Sequence, residues 1–203
     1  RDMQEGFRYL RGHHDASRGN IATAVQRGGL TALTLTALLL ERNTFNDPAK
    51  PEAGLQGFGI ALSIAGLGIF LGAFTAPYGV ARFGRHRWIK FAMLASACSP
   101  LALAVFQTEI ALCLTAFLAA FFGQNVKVTN DALVQSKIDD YHRGRVFAVY
   151  DVVVNSAIVG GGLIAALLLP TSGLSRVVPL VVAAAYLLIA LVLLRPAKFH
   201  ATF

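Results

Sequence analysis

The chain has 203 residues, 55% of them hydrophobic and only 14% charged, with 18 Lys and Arg against 11 Asp and Glu. Soluble domains carry about 25% charged residues, so a water-soluble globule is excluded for want of polar surface to cover it. The formal charge of +7 calls for no nucleic acid, because membrane proteins gather Lys and Arg in cytoplasmic loops and no nucleic-acid motif accompanies it.

The polar opening, residues 1–20, reads as a cytoplasmic linker. It starts at Arg1 without the charged, apolar and small-residue order of a signal peptide, and the expectation is that upstream sequence precedes it. A membrane-crossing helix takes about 20 mostly apolar residues, and six such stretches follow. The first runs from Ile21 to Leu40, and ERNTFNDPAKPEAG (41–54) separates it from the second. That one, Leu55 to Val80, is long enough to tilt or bend near Pro77 and carries a GxxxG step at Gly68 and Gly72. After the basic loop GVARFGRHR (79–87) comes the third, Trp88 to Phe106, and FQTE (106–109) makes a tight connection. The fourth, Ile110 to Lys127, repeats small residues every four positions at Ala111, Thr115, Ala119 and Gly123. The fifth, Val146 to Leu169, does so at Ala157, Gly161 and Ala165. PTSGLSR (170–176) holds a stop Pro and a turn Gly before the sixth, Val177 to Leu194, and residues 196–203 form a cytoplasmic tail. The stretches are too long and too rich in Ala and Leu for barrel strands. The expected fold is an all-α membrane protein with one transmembrane bundle over 21–195. Rows of small residues let helix backbones approach closely in lipid.

Charge orients the spans. Arg8, Arg11 and Arg18 precede the first; Arg82, Arg85, Arg87 and Lys90 follow the second; Lys137, Arg143 and Arg145 follow the fourth; Arg195 and Lys198 close the chain. The alternate connections are poor in net positive charge, so the basic set belongs in the cytoplasm. Both ends then lie on that side, which six spans satisfy.

Polar residues at membrane depth are the functional candidates. Arg27, beside Gln26, lies about two turns into the first span; it either snorkels to the interface or faces a polar cavity. The fourth helix ends GQNVKVTND, where Lys127 and Asp131 share a face at four-residue spacing with Gln124 and Asn125 nearby. Such a pair is a structural lock or, if it breaks and reforms, a gate. The fifth opens RVFAVYDVVVN, placing Asp151 and Asn155 on one face; the acid either serves function or pairs with the basic loop. Cys98 and Cys113 lie in apolar runs and read as inert hydrophobes. The five histidines, 13, 14, 86, 142 and 200, sit in predicted loops and tails, away from acids at metal-ligand spacing. No nucleotide-binding glycine loop or acyl-transfer set is present. Neither enzyme chemistry nor a cofactor or metal is expected.

Three segments carry a resemblance: GVARFGRHR, DALVQSKIDDYHRGRVFAVYD (131–151) and EGFRYLRGH (5–13). Together they resemble the major facilitator superfamily, in its drug and metabolite exporter branches. The first is similar to the family's Gly-rich loop motif, with Arg82, Gly84 and Arg85 in place and Ala81 where the family has an acid. Asp131 is an acid that the neighbouring helix offers instead. The second, with Arg143 and Arg145, is similar to the pattern entering the family's eleventh helix. The resemblance covers nearly the whole chain and implies the carboxy-terminal half of a twelve-helix cell-membrane transporter. It implies a missing amino-terminal six-helix half and alternating access around a small-molecule site. It also implies export and, in many members, proton coupling. The cavity candidates are then Gln26, Arg27, Gln124, Asn125 and Lys127, with Asp151 and Asn155 at the cytoplasmic mouth. A six-span membrane scaffold or membrane enzyme is the alternative; it would need a catalytic cluster or a large interaction surface.

Overall fold

A computed structural model describes residues 14–137 and 140–192, with side chains over 17–136 and 144–192. Helix α1 runs His14–Leu40 and passes into a π-helical turn, Glu41–Phe45. Then come α2, Pro51–Phe83; α3, Arg85–Phe106; α4, Glu109–Lys137; α5, Asp140–Leu168; and α6, Val177–Val192. Helices satisfy every backbone polar group within their own segment, which a bilayer core demands. Four of them, α2 to α5, contain stretches long and apolar enough to cross a membrane, and α6 is apolar over its 16 described residues. Helix α1 is long but carries Gln26 and Arg27 in its apolar run.

Helix ends depart from the apolar boundaries. Residues 14–20, read as linker, continue α1 inward. The basic loop over 79–87 is almost wholly helical: only Gly84, at φ 78° and ψ 155°, breaks the chain between α2 and α3. Helix α4 continues well past Lys127. The physical reason is that hydropathy marks the bilayer, whereas helix ends are set by breakers and caps. Polar side chains such as Asn130 and Gln135 do not interrupt a helix. Gln107, in the left-handed region at φ 45°, ends α3, and Pro51 starts α2 at a position where its missing N–H costs nothing. Readings placed on Arg8, Arg11, His13, Arg195, Lys198 and His200 concern residues outside the described ones.

Helix α4 lies at the centre, packed on α1, α2 and α3, while α1 also packs on α5 and α6, and α3 on α6. Close approach is achieved with small residues. Helix α2 buries only Gly54, Ala61, Gly68, Gly72, Ala76 and Gly79. A Cβ at Gly68 would stand 2.5 Å from the Phe117 carbonyl oxygen, and one at Gly72 the same 2.5 Å from that of Phe121. Helices α1 and α5 meet as tightly, since a Cβ at Gly161 would stand 2.1 Å from the Gly28 carbonyl oxygen. The main core joins Met93, Ala119, Val126, Val182 and Tyr186. Outward faces are apolar, as with Phe70 and Phe74 on α2 and Leu163 and Leu167 on α5. Lipid tolerates such a surface; water does not.

Candidate functional site

A cluster of polar side chains inside the bundle, Asn20, Gln26, Asn125 and Asn130 among them, gathers toward one end, where α1 and α5 begin and α4 finishes. The Gly84 joint of α2 and α3 lies at this same end. Arg27 is half-buried, and its Nη2 donates to Gln124 Oε1 at 3.1 Å. No carboxylate pairs with Arg27 among the described residues. A charge inside a span is costly, and one neutral amide offsets that only in part. Lys127 lies one turn further along α4 and donates to Asp131 Oδ2 at 2.5 Å, with the two side chains 38% and 24% exposed. Arg27 and Gln124 thus meet across the α1–α4 seam, and Lys127 follows on α4.

The neighbours of this row are fixed in place. Gln26 is fully buried; its Nε2 donates to the Ala119 carbonyl at 3.2 Å, and its own carbonyl accepts Tyr186 OH at 2.7 Å. Gly123 makes room for it: a Cβ there would collide with the Gln26 amide. Asn125 is also fully buried. Its Oδ1 accepts the Trp88 indole N–H at 3.2 Å, and its Nδ2 donates to Thr75 Oγ1 at 3.2 Å and the Phe121 carbonyl at 3.0 Å. Gln26 therefore ties α4 and α6 to α1, and Asn125 ties α2 and α3 to α4. In this conformation both act through other residues and present no free surface.

Asp151 and Asn155 are exposed on α5, and Asn155 Nδ2 donates to the Asp151 carbonyl at 2.8 Å. At the joint, Arg82 is exposed with its guanidinium 5.9 Å from the Phe83 ring centre. Arg85 donates to Ser136 Oγ of α4, so the arginine of the joint reaches a hydroxyl while Asp131 is held by Lys127. Arg145 is half-buried at the start of α5; the Arg143 side chain lies outside the described ones.

Sequence reasoning missed a buried polar knot beside this row. Asn130 Nδ2 donates to Asn20 Oδ1 at 2.9 Å, and Tyr150 of α5 is 5% exposed next to it. Among the described residues, Asn20 Nδ2, Asn130 Oδ1, Asp131 Oδ1 and Tyr150 OH are buried with no partner at hydrogen-bond geometry. Such atoms ordinarily hold bound water. The available signal was Asn130 next to Asp131 in the GQNVKVTND segment, and Asn20 at the edge of the first apolar run.

At the opposite end Glu41, only 3% exposed, accepts Asn46 Nδ2 at 3.0 Å. Burial, and then the charge of Glu109, raise its carboxyl above the ordinary range, while the Asn46 hydrogen bond lowers it. It borders a recess of about 240 Å³ with Gln56, Gly57, Glu109 and Cys113.

Comparison with known proteins adds family information. The profile of the Major Facilitator Superfamily matches residues 21–202. An uncharacterized MFS-type transporter of Mycobacterium bovis is 32% identical over 154 residues, which is 76% of this chain and 34% of that protein. An uncharacterized MFS-type transporter of Mycobacterium tuberculosis matches with the same figures. The chain spans about a third of the length of these relatives. No solved structure matches it.

Proposed function

The chain belongs to the major facilitator superfamily, and from that premise we propose that it is the carboxy-terminal six-helix half of a secondary transporter. The whole protein moves a small molecule across the cell membrane by alternating access, an amino-terminal six-helix half closing the other side of the path. Arg27, Gln124 and Lys127 line the substrate path, held in register by Gln26 and Asn125. Asp151 and Asn155 sit at its cytoplasmic mouth. We assign Arg82, Gly84 and Arg85 of the joint, with Asp131, Arg143 and Arg145, to the cytoplasmic gate that opens and closes. We read the direction as export, driven by proton entry, and both ends of the chain as cytoplasmic.

The observation that carries this reading is Arg27 itself. A guanidinium kept inside a span with no carboxylate partner among the described residues, and only an amide to hold it, is expensive. It is retained where it has a ligand to meet. Its natural counterpart is an anionic or strongly hydrogen-bond-accepting group on the substrate, which Lys127 and Gln124 complement. The test is uptake and efflux of a substrate panel by the full-length protein in cells lacking their own pumps. Arg27→Gln is expected to lower transport at least about tenfold, the worth of one charge-assisted hydrogen bond, at unchanged protein level. Collapse of the proton gradient is expected to abolish export. Full activity of Arg27→Gln overturns the site; export that ignores the gradient overturns the coupling.

A further inference from the structure

The joint between α2 and α3 has a second property that transport does not use. From Glu52 to Glu109 the chain has no acidic residue, yet Arg82, Arg85, Arg87 and Lys90 crowd within nine positions. Arg85 is engaged by Ser136, and among the described residues Arg82, Arg87 and Lys90 have no carboxylate partner. Beside them Phe83, Arg87, Trp88 and Phe91 line a recess of about 240 Å³.

Its walls are aromatic and already set. The Phe83 and Trp88 rings stack at 5.8 Å with planes 6° apart, and Trp88 and Phe91 at 5.4 Å and 26°. Trp88 is anchored by its bond to Asn125 and lies on Gly79, where a Cβ would collide with the indole. Phe83 and Phe91 are nevertheless 50% and 52% exposed. From Phe91 the exposed face of α3 continues two turns on to Cys98, on helical spacing toward the bilayer centre. A cationic rim, a preformed aromatic recess and an apolar track form one surface, located where a span leaves the membrane. Aromatic rings favour that headgroup level, and Lys and Arg there attract anionic lipid.

We propose that this recess binds an anionic phospholipid of the adjoining leaflet. The phosphodiester sits against Arg87 and Lys90, the glycerol region against Trp88, and an acyl chain along α3 from Phe91 to Cys98. The chemistry requires only that the Gly84 end lies at headgroup level, so it does not depend on the transport reading or on which side that end faces.

The experiment uses the full-length protein in neutral detergent, with thermal stability and native mass spectrometry read against added dioleoylphosphatidylglycerol, dioleoylphosphatidylcholine or inorganic phosphate. Each basic side chain near a lipid surface contributes roughly fivefold in affinity, so two give roughly 25-fold. The wild type is expected to retain and be stabilised by phosphatidylglycerol over phosphatidylcholine by about that factor. Arg87→Gln with Lys90→Gln is expected to remove the preference, while Arg176→Gln at the other end leaves it intact. Raised salt is expected to weaken the preference in the wild type, a measurement that holds even if the double variant fails to fold. Equal phosphatidylglycerol retention by wild type and double variant overturns the proposal. So does inorganic phosphate that stabilises as well as the lipid, or protection of Phe91 by the upstream helices in cross-linking.

Discussion

Asn125 shows how one amide can organise one end of a helix bundle. Fully buried, it answers Trp88, Thr75 and the Phe121 carbonyl at once. Replacing it with Ala leaves the Trp88 N–H and a hydroxyl without their partner, at about 1–3 kcal/mol per stranded group. Asn125→Ala is therefore expected to lower the melting temperature in detergent by several degrees and to shift Trp88 emission. An unchanged melting curve would show that water takes over these bonds. Glu41 supplies a second residue-scale prediction. Its carboxyl is raised by burial first and by Glu109 second, so the folded protein binds a proton that the unfolded chain releases. Stability is then fully present below the ordinary carboxylate pKa and declines as pH rises through the raised value. Glu41→Gln is expected to flatten that acid-to-neutral decline; an equally steep curve in the variant would exclude Glu41 as its source. Arg27, Lys127 and Asp131 were legible as candidates because charge inside an apolar run stands out in one dimension. Their partners were legible only for Lys127 and Asp131, four residues apart on one helix. The Gln124–Arg27 bond joins α4 to α1, and no local spacing encodes it.

Among the elements, α2 is the clearest case of sequence pattern becoming packing. Its GxxxG step at Gly68 and Gly72 rests on the α4 backbone at Phe117 and Phe121. Gly68→Leu is expected to force α2 off α4 and leave little folded protein, because the obstacle is backbone rather than a movable side chain. Gly66→Ala, on the same helix with nothing within 4 Å, is expected to express normally. Fluorescence-detected size exclusion reads both, and a monodisperse Gly68→Leu peak would refute the packing. The α2–α3 joint was misplaced as a nine-residue loop because its basic composition resembled loop chemistry. Arg and Lys are good helix formers, so the chain stays helical until Gly84 takes a left-handed conformation that other residues adopt at a cost.

At the scale of the molecule, six spans with basic connections on one side demand that the Gly84 joint and the 170–176 turn face opposite compartments. Single cysteines at His86→Cys and Ser172→Cys, in a full-length background lacking Cys98 and Cys113, are expected to label from the cytoplasm and from outside, respectively. Labelling of both from one side would overturn the six-span topology. The proposed amino-terminal half has a surface on this bundle to cover. Asp151 and Asn155 are exposed on α5 within an apolar span, and a carboxylate facing bare lipid is unfavourable. The upstream six-helix half proposed above, enclosing a watered path, would remove that conflict.

Length and order of apolar runs, and the side on which cations collect, are properties of the chain in one dimension, and the bilayer converts them directly into spans and orientation. The spans were legible in sequence alone, the orientation is what the cations predict, and the family resemblance followed from short motifs at the ends of those spans. Which polar groups meet was decided only by tertiary structure. Crossing helices bring together residues about 100 positions apart, as with Asn20 and Asn130 or Gln26 and Ala119. Small residues let the backbones close to contact, and the depth at which they cross selects the partners.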